Sequence, residues 1–197
     1  MKRNFRALLW HAGFLALAQN FIDVDTVIPA MLIESGGTAI HVGILTAIML
    51  GGSSFTQIIF APFISNFSFK KKFLLTGINA RMLALLAMAA MLYFSADLSG
   101  SAIIGLIFIL ITVFSLGGAF ANISYTDILG KSLGGNLRKP FFSARQVITG
   151  LILLGSAFLA KFVVASTVYP ANYARMFLIG FMALSVASLG FWWPRET

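Results

Sequence analysis

Residues 102–126 read AIIGLIFILITVFSLGGAFANISYT, a run without one charged side chain. As a helix it rises roughly 37 Å at about 1.5 Å per residue, enough to cross a hydrocarbon layer about 30 Å thick. It is too long for a strand, and lipid accepts only helices or closed barrels. Working outward, five further stretches satisfy the same test: 8–33, 42–64, 73–94, 147–164 and 175–193. Of the 197 residues, 59% are hydrophobic and 10% charged, against about 45–50% and about 25% for a soluble domain. There is too little charge to coat a water-facing surface, and the absence of Cys removes a disulfide scaffold. The expected fold class is an all-α membrane protein, one six-helix transmembrane domain over residues 1–197.

A formal net charge of +8 in a soluble domain would suggest nucleic acid, but its placement here does not. The N-terminus (Lys2, Arg3, Arg6), the second loop (Lys70, Lys71, Lys72), the fourth loop (Lys131, Arg138, Lys139, Arg145) and the tail (Arg195) hold eleven of the fourteen basic residues. In a six-span chain these segments share one side. The opposite loops, 34–41, 95–101 and 165–174, hold no Lys or Arg, while Lys161 and Arg175 sit at helix ends from which they snorkel. The positive-inside rule then makes both termini cytoplasmic, in what is expected to be a bacterial cytoplasmic membrane. Trp192 and Trp193 mark the inner interface of the last span, Trp10 that of the first, and Tyr169 and Tyr173 the outer rim. The basic N-terminus followed by Ala16-Leu17-Ala18 imitates a secretory signal. The apolar pattern continues past it to Ile33, however, and removing that span would spoil the match of charge to sidedness.

Charged residues inside a span cost about 2.5–3.5 kcal/mol each on insertion scales, so Asp23, Asp25, Arg81 and Lys161 call for a reason. On a continuous first helix Gln19, Asp23 and Thr26 share a face, with Asp25 pointing about 160° away from Asp23. One reading places Gln19, Asp23 and Thr26 on an aqueous cavity, with Asp23 holding a cation, a proton or a cationic group. The other makes Asp23 a buried structural carboxylate. Arg81, near the midplane of the third span, has Asp23 or Asp25 as its expected partner. Pro29 interrupts the first helix. Gly43, Ala47 and Gly51 in the second span, and Gly117, Gly118 and Ala121 in the fourth, form close-packing faces.

Much chemistry is excluded. No Cys exists, and His11 and His41 are the only histidines, so thiol chemistry and a histidine cage are out. Gly130-Lys131-Ser132 lacks the first glycine and the strand of a P-loop. An enzyme is not expected, nor a cofactor.

Pro62-Phe63-Ile64-Ser65-Asn66-Phe67-Ser68-Phe69-Lys70-Lys71-Lys72 resembles a degenerate form of the signature G-x-x-x-D-[RK]-x-G-x-[RK]-[RK] that follows the second helix of major facilitator superfamily transporters. Its terminal basic residues match; Pro62, Asn66, Phe67 and Phe69 depart from it. The stretch from Tyr125 through Asp127 and Lys131, followed by Arg138-Lys139-Pro140 and Ala144-Arg145-Gln146, resembles that family's acidic end of helix four, basic loop and entry to helix five. The likeness covers essentially the whole chain and corresponds to the family's N-terminal six-helix half. It implies a cytoplasmic gate in which Asp127 meets Lys70, Lys71 and Lys72, with Arg138 nearby; the plain alternatives are a helix-end carboxylate beside Arg138 or Lys131, and topology determinants. The proton-coupling R-x-x-x-G pattern is absent from the fourth span, and the Gly-Pro pair of drug antiporters is absent from the fifth.

The resemblance implies half of a secondary active transporter that moves a small solute by alternating access, coupled to an ion. A second six-helix half would come from the same gene, a second copy or a separate chain. It would place one wall of the pathway on Gln19, Asp23, Asp25, Thr26, Arg81, Thr112, Ser115 and Asn122, with Gln57 beside them. The alternative is a six-helix capture component of an ATP-driven vitamin-type uptake system, with Ala12 and Ala16 spaced four apart as its docking stripe.

Overall fold

The computed structural model describes residues 2–192, so Trp193 and Arg195, expected to mark the inner interface and the cytoplasmic side, lie outside the described residues. The chain folds into α1 (Lys2–Gln19), α2 (Val27–Glu34), α3 (Ala39–Ser65), α4 (Lys71–Tyr93), α5 (Gly100–Ser132), α6 (Gly135–Ala165) and α7 (Ala171–Leu189), with a 3-10 turn at Ser95–Asp97. Among the described residues there is no strand. Five helices, α3 to α7, are long and apolar enough to cross a membrane. The architecture is that of an all-α membrane protein.

The expected first span, 8–33, is not one helix. It is α1 and α2 with a turn over 20–26 between them, and the break precedes Pro29. The cause lies in Asp23, whose Oδ1 accepts from the backbone N–H of Asp25 at 3.1 Å, the N–H of Thr26 at 2.8 Å and the Thr26 hydroxyl at 2.7 Å. A short acidic side chain that bonds the backbone two and three residues ahead offers it an alternative to the helix. Pro29 then falls in the first turn of α2, where its missing N–H costs nothing. At its far end α2 closes with Gly36 at φ +90°; the Gly36 N–H donates to the Ile33 carbonyl and the Gly37 N–H to that of Leu32, both at 2.8–2.9 Å. This is the pairing of a left-handed helix stop.

The fourth loop is also corrected. Residues 127–146 are almost wholly helical, because α5 and α6 run on with only Leu133 and Gly134 between them. With 33 and 31 residues they rise roughly 50 and 46 Å, well beyond a hydrocarbon layer of about 30 Å. Hydropathy finds where a helix leaves lipid, and good helix formers such as Lys and Arg continue it into water.

The main pairings are α4 with α5, α4 with α7, α3 with α5, α1 with α7 and α1 with α6. Exchanging α1, α3, α4 for α5, α6, α7 maps this set onto itself. Since α1 runs away from the end that holds Lys70, Lys131 and Arg138 while α5 runs toward it, the two three-helix units are inverted relative to one another. The described start of α1 and the end of α7 meet at that basic end: the Trp10 indole N–H donates to the Val186 carbonyl at 3.0 Å, and the His11 and Phe191 rings lie 4.1 Å apart. At the opposite end the Tyr173 hydroxyl donates to Glu34 at 2.8 Å and that of Tyr169 to Ser35 at 3.0 Å.

Two larger apolar clusters, with a small third of Phe21, Ala160 and Met176, form the core. One is built on Ile107, Ile111 and Phe114 of α5, Leu85, Met88 and Leu92 of α4, and Phe177 and Leu184 of α7. The other, toward the basic end, holds Leu8, Leu74, Ile78, Ala121, Ile128, Phe141 and Phe191. The expected small-residue face of α5 is real and is met by a glycine of α4. A Cβ on Gly77 would stand 2.6 Å from the Gly117 carbonyl oxygen and 2.7 Å from the Ala121 nitrogen. The expected face on α3 is not a contact: nothing lies within 4 Å of such an atom on Gly43 or Gly51. The flanking helices α3 and α6 keep most of their surface outward, including Leu50, Phe55, Ile58, Leu151, Leu154 and Phe158.

Candidate functional site

Where the two larger core clusters adjoin, a cavity of about 220 Å³ opens between α1, α4, α5, α6 and α7. Its apolar wall is Ala12, Leu15 and Ala16 of α1, Leu74 and Ile78 of α4, Leu153 of α6 and Leu184 of α7. The polar groups are His11 and Gln19 of α1, Arg81 of α4, Asn122 and Tyr125 of α5, and Arg145 and Thr149 of α6. Arg81 is ten residues into α4, about 15 Å from its start, which is the depth of a bilayer midplane.

Arg81 is seated by its neighbours. Its guanidinium carbon lies 4.2 Å from the centroid of the Phe114 ring, a cation–π distance. Its stem runs along the glycine pair of α5: a Cβ on Gly117 would come within 3.2 Å of Arg81 Cγ, and one on Gly118 within 3.5 Å of Cδ and Nε. Arg81 Nε is buried with no hydrogen-bond partner among the described residues. The expected carboxylate partner is absent: Asp23 bonds within its own turn, and the described ion pairs, Lys70 and Lys131 with Asp127, involve neither Arg81 nor Arg145. On the opposite wall His11 is buried, with Nδ1 3.1 Å from the Ala187 carbonyl oxygen. That contact makes Nδ1 the protonated nitrogen.

Of the residues expected on the pathway, the fold brings Gln19, Arg81 and Asn122 to the cavity. Asp23 and Thr26 form the turn between α1 and α2, and Asp25 is exposed beside them. Once the helix breaks at 20–26, the face shared by Gln19, Asp23 and Thr26 no longer exists. Ser115 joins helices instead, with its hydroxyl 3.2 and 3.3 Å from the Ile48 and Met49 carbonyls of α3. Thr112 bonds back to Phe108 at 2.7 Å and Gln57 to Ser53 at 3.3 Å. His11, Tyr125, Arg145 and Thr149 were not expected here. Arg145 lies seven residues after Arg138, two turns along one face of a helix, a spacing that carries meaning only where the segment is helical. Asn20 was also passed over: its amide donates to the Leu153 carbonyl at 2.7 Å and to Ser156 at 2.6 Å, pinning the end of α1 to α6.

At the basic end Asp127 stands 3.2 Å from Lys70 and 2.8 Å from Lys131, joining the loop before α4 to the last turns of α5. Arg138 is not part of this group. Its Nη2 donates to the Gly130 carbonyl at 3.0 Å and its Nε to that of Leu133 at 3.3 Å, capping the end of α5 as a basic side chain can. Lys71 reaches the Trp192 carbonyl at 3.3 Å, and Lys72 is exposed. Among the described residues no group of three or more His, Cys, Asp or Glu is placed to hold a metal ion.

The cavity carries two guanidiniums, two amides, a hydroxyl, a phenol and an imidazole on a largely apolar wall, and among the described residues no carboxylate lines it. All seven of these side chains can donate a hydrogen bond to a polar group. No family model, no curated protein and no solved structure matches the chain.

Proposed function

We propose that the chain is half of a secondary active transporter, in a bacterial cytoplasmic membrane, that moves a small solute by alternating access and draws on an ion gradient. The observation that carries this reading is the polar cavity at mid-membrane depth, walled by helices from both of two inverted three-helix units. Binding sites at the interface of inverted repeats, beside an interrupted helix, are the recurring plan of such transporters, and the sequence resemblance to a major facilitator half points the same way. The outward faces of α3 and α6 are where a second six-helix half would close the chamber. The Lys70–Asp127–Lys131 group would tie the basic end shut. For the capture-component alternative, chain length and helix number fit equally well; the burial of Ala12 and Ala16 against the cavity, where that reading needs an outward docking stripe, favours the transporter half.

The chain has no Cys, so single cysteines report cleanly. Thr149→Cys, on the cavity wall, is expected to react with a membrane-impermeant maleimide applied to either face of native vesicles, each face in turn. Reaction from one face alone, under every solute and ion gradient tried, would rule out alternating access.

A further inference from the structure

Nothing indicates an occupant for the apolar groove between α3, α4 and α5, lined by Thr56, Phe60 and Phe120, and the Asp23 carboxylate bonds within its own turn. The cavity carries more. We infer that it binds a small oxyanion from solution, a carboxylate or phosphate group, with Arg81 as the principal contact and Arg145 as the second charge. The inference rests on the reading of the chamber as a solute pathway and names the class of its solute.

An arginine at mid-membrane depth is costly unless it is paired or faces water, and buried ions persist where a counter-charge and hydrogen bonds offset their desolvation. Arg81 has neither: its Nε meets no partner among the described residues, and the ring of Phe114 at 4.2 Å supplies part of the attraction a carboxylate would give. Arg145 enters the same chamber from α6. Four of the five described acidic residues, Asp23, Asp25, Glu34 and Asp97, belong to turns and ends outside the chamber, and the fifth, Asp127, is held by two lysines. The planar guanidinium matches carboxylate and phosphate oxygens in pairs, and Gln19, Asn122 and Thr149 on the wall add donors. A cationic solute would meet two like charges, which reverses the polarity expected when Asp23 was placed on the pathway.

The test is thermal unfolding of the full chain in detergent with phosphate, sulfate or succinate at constant ionic strength in chloride. Tetraethylammonium and glucose serve as charge controls. The expected result is a saturable rise in midpoint with at least one oxyanion and none with the controls. Arg145→Gln should weaken the apparent affinity about tenfold, Arg81→Lys should weaken it similarly, and Lys161→Gln, outside the chamber, should not change it. If Arg81→Met folds, it should abolish the shift; if it does not fold, Arg81→Lys and Arg145→Gln decide. No saturable shift with any of the three oxyanions, or an unchanged affinity in both of those variants, overturns the inference. Loss of the shift in phosphatidylglycerol nanodiscs but not in phosphatidylcholine ones would assign the site to a lipid headgroup and overturn it equally. Oxyanion binding without two-sided reactivity of Thr149→Cys would sink the transporter reading alone, and two-sided reactivity without oxyanion binding would sink this inference alone.

Discussion

Asp23 shows how one side chain redirects a chain. Three hydrogen bonds to a single carboxylate oxygen hold the turn between α1 and α2, so that the stretch expected as the first span is two helices. Asp23→Ala removes all three acceptor contacts of this turn and is expected to lower stability by about 1 kcal/mol, the usual net worth of a hydrogen bond. Asp23→Asn keeps an acceptor oxygen and should recover most of the loss. Denaturation of the two variants in mixed micelles checks this, and equal stability of Asp23→Ala and the parent would refute it. Neither change should alter oxyanion binding, because the carboxylate is not on the cavity wall. That Asp23 needed a reason was legible in its hydropathy context. Which reason was not, because the face assigned to it presupposed a continuous helix.

Among helix pairs, α4 and α5 bring backbone against backbone at Gly77 and Gly117. A side-chain atom on Gly77 would collide with backbone at 2.6 and 2.7 Å, and backbone cannot swing aside as a long side chain can. Gly77→Ala should therefore cost about 1–3 kcal/mol, the range for overpacking a filled interface. Gly43→Ala and Gly51→Ala, with nothing within 4 Å, should be neutral or slightly stabilising through helix propensity. A thermal ranking of the three variants tests it, and a neutral Gly77→Ala would show that the two helices do not touch as described. The small-residue patterns looked alike in sequence. Spacing reports that a face is smooth, while only the partner's placement decides whether another helix lies on it.

At the scale of the whole molecule, charge and connectivity agree. Helix ends rich in Lys and Arg gather at one end of the bundle, and the Tyr169 and Tyr173 hydroxyls tie the other. Lys72→Cys and Asp97→Cys should thus be labelled from opposite faces of sealed vesicles, with Lys72→Cys reacting only after permeabilisation of right-side-out vesicles. Labelling of both from outside would overturn the orientation.

The all-α membrane class and the gathering of basic residues at one end were legible in the sequence, because these depend on composition and on the one-dimensional placement of apolar runs against a solvent of fixed thickness. The sequence also marked Arg81, since a charge in an apolar run announces its own cost. Only the packing of the helices leaves Arg81 without an acidic partner among the described residues, brings Arg145 and His11 to it, and keeps Asp23 away. Those facts turn on which faces of separate helices converge, and convergence is set by close approaches such as Gly77 to Gly117 and by a turn at 20–26, neither of which any single stretch of chain encodes.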